Sequence, residues 1–123
     1  MADESERFEQ GRAAFNRGEY FLAHERWEEV WREDADAEKR IHLQGLIQIA
    51  AGLHHLQKRR TGPAAGLLRK GLAKVSKRRK DPSGDLRTDL LAGQVERLLV
   101  ELEAPKKETT DVTAAAELSH LRF

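Results

Sequence analysis

A chain of 123 residues is one domain's worth of material, enough to bury a single core. It has no cysteine, which excludes disulfides and thiol chemistry and leaves any metal to histidine and carboxylate ligands, and no apolar run nears the ~20 residues of a membrane span. The net charge of +1 hides three blocks: 12 acids and 5 bases in residues 1–38, 12 bases and no acid in 39–80, and 9 acids and 5 bases in 81–123.

Such blocks are expected to meet within the fold or across a homodimer. Few prolines and much Ala, Leu, Glu, Arg and Lys favour helix, so the expectation is an all-α compact bundle of about five helices built from antiparallel hairpins. The acidic start MADESERFEQ lacks the basic end and apolar stretch of a signal peptide, which implies a cytoplasmic protein.

Helix one is expected from Asp3 or Ser5 to Asn16, with Phe8 and Phe15 on its stripe and Asn16-Arg17-Gly18 as the turn. Helix two covers Glu19 to about Glu33, and so short a turn makes the two an antiparallel hairpin. Asp34 or Asp36 caps helix three, which runs to about Arg60 and is apolar nearly all round, the pattern of a central helix. Thr61-Gly62-Pro63 starts helix four, whose buried side carries Leu67, Leu68, Leu72 and Val75 and which ends in Lys77-Arg78-Arg79-Lys80. Asp81 to Gly84 is a loop. Helix five, from about Asp85 to Glu103, buries Leu91, Val95, Leu98 and Leu102 and is closed by Pro105. The domain thus spans residues 1–104, and 105–123 form a tail, either a packed strap through Val112, Leu118, Leu121 and Phe123 or a disordered one. The hairpins are faintly like tetratricopeptide units, though too divergent to count as that repeat.

The chemistry gathers on helices two and three. Tyr20, His24, Trp27 and Trp31 share one face of helix two, and Glu28 stands four residues from His24, so both reach one point. Glu25 lies to the side, towards solvent. On helix three Gln44, Gln48 and His55 line up at spacings of four and seven beside Gly45, Ala51 and Gly52, where another helix can come close. The text HERWEEVW shares only its first two letters with the zinc helix HExxH, whose second histidine is missing. A divalent metal such as zinc would need His24 and Glu28 with His55, or else His54, leaving positions open for water. Without a metal, the same residues form a hydrogen-bonded polar layer or a ligand pocket. Trp27 and Trp31 read as core anchors, and His42 and His120, with no evident partners, as surface residues.

Ten bases between Lys58 and Lys80 raise a nucleic-acid reading through helix four. No aromatic is interleaved and no recognition element accompanies them, so such binding would be non-specific, and a solvated face paired with the acidic helices is the better account of them.

The run F-N-x-G-x-Y-F-x-A-H-E-x-W-E-x-x-W, here Phe15 to Trp31, resembles the hallmark of a bacterial and archaeal family of unknown function, number 309 in the domain-of-unknown-function series. That family's second hallmark, L-Q-G-L-I-Q, then an alanine-rich turn and a histidine, is similar to Leu43–Gln48 and Ala50–His55, and the resemblance spans about Phe8 to Val75. It implies a small helical bundle, a catalogue label of predicted metal-dependent hydrolase, and His24, Glu25, Glu28, Gln44, Gln48 and His55 as the motif's polar positions. The expected function is a binding or interaction module, for a small molecule or a protein, with a polar pocket between helices two and three. The alternative is a metal-dependent hydrolase in which Glu25 or Glu28 acts as base.

Overall fold

The structure, a computed structural model, describes residues 4–76, 87–103 and 121–123. Its helices are α1 (Glu4–Asn16), α2 (Tyr20–Glu33), α3 (Ala37–Gln57), α4 (Thr61–Val75) and α5 (Arg87–Glu103), and the described residues include no strand. The basic run at 77–80, the loop at 81–84, Pro105, Val112, Leu118 and His120 lie outside the described residues.

Local chemistry sets the breaks. Gly18 takes a left-handed φ of 81°, and Glu19 N–H then reaches back to the Ala14 carbonyl at 2.9 Å, closing the end of α1 as glycine after a helix commonly does. Asp36 caps α3 by accepting from Glu38 N and Lys39 N. Helix three stops at Gln57, before the expected Arg60, because Arg59 turns left-handed at φ 59° and Arg60 N–H folds back on the His55 carbonyl. Helix four begins at Thr61, two residues ahead of Pro63; the first N–H groups of a helix have no intrahelical partner, so proline costs nothing there.

Neighbouring helices pack in chain order, α1 on α2, α2 on α3, α3 on α4 and α4 on α5. Along the α3–α4 seam two glycines face each other. A Cβ on Gly71 would lie 2.5 Å from the Gly45 carbonyl oxygen, and one on Gly45 would lie 2.9 Å from the Gly71 carbonyl oxygen. The aromatic core sits between α1 and α2: Trp27 stacks on Phe8 at 5.8 Å and donates its indole N–H to the Phe8 carbonyl at 3.0 Å. Gly11 leaves room for that indole.

His42, expected at the surface, is buried at 2% exposure. Its spacing to Leu46, Ile49 and Leu53 puts it on the inward strip of α3, and a helix apolar nearly all round leaves little of its surface to solvent. Leu91, Val95 and Leu98 are buried as expected, and Leu102 packs on the core's edge. Opposite charges do meet within the fold: Arg7 holds Glu33 through two hydrogen bonds of 2.9 and 2.7 Å, Lys39 reaches Glu4 at 3.5 Å, and Arg69 of the basic helix pairs with Glu103 of α5.

Candidate functional site

Helix geometry divides α3 into strips. Arg40 and His54 mark the strip against α2, since Arg40 donates to the Trp31 carbonyl at 3.0 Å and His54 lies 5.2 Å from the Phe21 ring. Gly45 and Gly52 mark the strip against α4. Gln44, Gln48, Ala51 and His55 fall between them on the outer side, all partly exposed. The polar line of α3 is therefore the floor of an open valley with α2 on one rim and α4 on the other.

The helix that comes close on the glycine side is α4, because Gly71 supplies the matching gap. Gln48 accordingly serves α4, its side-chain oxygen accepting from Lys74 Nζ at 2.8 Å. His24 and Glu28 line the opposite rim, partly exposed at 25% and 36% of their side chains, and approach each other at 3.8 Å. Glu28 also meets Arg32 at 3.5 Å. Glu25 is exposed, as its position on the helix required.

The large aromatics go elsewhere. Tyr20 and Trp27 are buried in the core, with Trp27 tied to α1. Trp31 is half-buried at the α2–α3 turn, where the Arg40 guanidinium stands 4.2 Å over its ring. Burial lifts the Tyr20 phenol to about 12, with a smaller opposing effect from its contact with Leu121 N–H.

Phe21, absent from the expected site, is its most conspicuous apolar group. It is 52% exposed and stacks on His24 with ring centres 6.0 Å apart and planes 11° from parallel. With His54 tilted against it and His55 6.4 Å beyond, one aromatic ring and three imidazoles form a continuous patch. The signal in the sequence was the three-residue spacing of Phe21 and His24. The His54 imidazole is held below its ordinary value, first by desolvation and then by Lys58, His55, His24 and Arg60.

Nδ1 of His24 and Nδ1 of His55 are shielded from solvent, yet neither meets a hydrogen-bond partner among the described residues. Shielded polar atoms normally have one. Among those residues no three His, Asp or Glu side chains are grouped as ligands of one ion, so the His24, Glu28 and His55 set does not converge on a single point. No described helix is long and apolar enough to cross a membrane.

Residues 8–67 match the family described as Domain of unknown function (DUF309), a stretch that contains α2, α3 and every residue of the valley except Lys74. No curated protein and no solved structure matches the chain.

Proposed function

Starting from the match of residues 8–67 to the DUF309 family, we propose that the chain is a non-catalytic binding module whose recognition surface is the valley over α3. The observation that supports this reading is the partly exposed patch of rings that Phe21, His24, His54 and His55 form at the edge of the valley. Beside these rings Gln44 and Gln48 of α3 add amide groups and Lys74 of α4 an ammonium group, donors and acceptors that a ligand could use. Phe21 and His54 supply a flat surface beside these groups, suited to the apolar part of a small molecule or to a side chain of a partner protein.

A metal-dependent hydrolase is the second reading, favoured by the approach of His24 to Glu28. Among the described residues the side chains as placed do not offer three converging ligands for an ion. Elemental analysis of protein purified without chelator separates the two. The binding reading predicts no stoichiometric zinc, manganese or iron, together with thermal stabilisation by a subset of small polar compounds that His55→Ala abolishes. Near-stoichiometric metal that is lost in both His24→Ala and His55→Ala would put the hydrolase first. Arg69 is paired with Glu103 and Lys74 with Gln48, which leaves non-specific nucleic-acid binding the weakest reading.

A further inference from the structure

The three residues Leu121–Phe123 sit in a socket formed by α1, α2 and α5, and the socket reads their main chain. Leu121 N–H donates to the Tyr20 hydroxyl oxygen at 3.1 Å. Arg122 is gripped at both ends by one amide: its N–H donates to Gln94 Oε1 at 3.2 Å and its carbonyl accepts from Gln94 Nε2 at 2.7 Å. Gln94 Nε2 also reaches the Leu90 carbonyl at 3.3 Å. Phe123 N–H donates to Asn16 Oδ1 at 2.9 Å, and its main-chain oxygen accepts from Arg12 Nε at 3.0 Å.

Two apolar wells alternate with this grip. Leu121 and Phe123 are buried at 4% and 6%, while Arg122 between them is exposed. The Phe123 ring meets Phe15 edge-on at 5.3 Å, Trp27 at 5.9 Å and the Arg12 guanidinium at 5.7 Å. Arg12 and Tyr20, which hold the segment's main chain, are themselves buried at 7% and 1%. Main-chain hydrogen bonds with wells for alternate side chains are how proteins recognise extended peptides. Ordinary core packing does not require a side-chain amide to pair with both polar groups of a backbone unit.

We propose that this socket is a peptide-recognition site that accepts, in trans, an extended segment of another polypeptide with the pattern Leu-x-Phe, and that residues 121–123 are its built-in competitor. The site uses residues separate from the valley over α3, so the two readings stand or fall apart. The probe is a fluorescein-labelled peptide of residues 117–123 (ELSHLRF), titrated into the full chain carrying Phe123→Ala. Saturable binding to this variant is expected. Binding to the wild type should be about tenfold weaker or more, since a tethered competitor acts at an effective concentration on the order of millimolar. Adding Gln94→Ala to the receiving chain, or alanine in place of the peptide's phenylalanine, should each weaken binding about tenfold.

A Phe123→Ala chain that keeps its helical circular dichroism but does not bind the peptide overturns the proposal, as does an affinity indifferent to Gln94→Ala. Where Phe123→Ala does not fold, Arg122→Cys in the otherwise native chain gives a single dye site, because there is no other cysteine. Excess unlabelled peptide must then lower the dye's anisotropy by freeing the segment, and an unchanged anisotropy overturns the proposal. Self-association of the wild type that both Phe123→Ala and Gln94→Ala abolish would support it, with a second copy as the source of the peptide.

Discussion

The socket around residues 121–123 and the valley over α3 are both built from polar side chains beside aromatic rings, yet they differ in satisfaction. In the socket Arg12, Asn16, Tyr20 and Gln94 each hold a main-chain group of the seated segment. In the valley His24 and His55 each keep a shielded nitrogen with no partner among the described residues. The polar groups of the socket are met by the protein itself, and these two nitrogens of the valley are not.

Substitutions should separate the two regions by size of effect. The largest is expected beneath the socket: Trp27→Ala removes a fully buried ring and its bond to the Phe8 carbonyl, at a cost of about 3–5 kcal/mol in urea unfolding. Gly71→Ala comes next, because the added methyl meets the Gly45 backbone and the Ile49 side chain and neither can retreat far; about 1–3 kcal/mol is expected. Gln94→Ala removes both hydrogen bonds to Arg122 at a partly exposed position and should cost about 1 kcal/mol. His55→Ala in the valley should stay within about 0.5 kcal/mol of the wild type, since it breaks no protein contact that holds the fold. A loss comparable to that of Trp27→Ala would show that the imidazole is structural and would erase the contrast.

The smallest effect is in pH. The His54 imidazole is held below its ordinary value, so the unfolded chain binds the proton more readily than the folded one. His54 therefore contributes stability that is full above the ordinary imidazole value of 6.5 and declines as pH falls from there towards its folded value. Lys58→Ala removes the second-largest cause, after desolvation, and should move the His54 titration, followed by NMR, part of the way back up.

Much of the fold could be read from residues: Gly18 at the first turn, Asp36 as the cap of α3, and the all-round apolar surface that makes α3 central. The partners of α3 could not. Gly45 and Gly52 announce that a helix comes close without saying which, and the answer lay in Gly71, one glycine among several in α4. The same ambiguity displaced Gln48, whose partner proved to be Lys74. The pairing of His24 with Glu28 on α2 and the line of Gln44, Gln48 and His55 on α3 were legible from spacing, but helical spacing cannot tell a closed pocket from an open one. That depends on where the flanking helices stand. The socket was illegible for a plainer reason: its parts come from Arg12, Asn16, Tyr20 and Gln94 on three helices, and no local pattern links them to a segment at 121–123.

The central claim, that the valley over α3 is a binding surface, is tested most directly by NMR of the full chain against a library of small polar fragments, following side-chain imidazole and amide signals. Binding is predicted to shift His24, His55, Gln44 and Gln48 together, and the His24→Ala/His55→Ala double variant should keep its fold while losing the response. Fragments that shift only residues outside this set, or a double variant that still binds them, would contradict it.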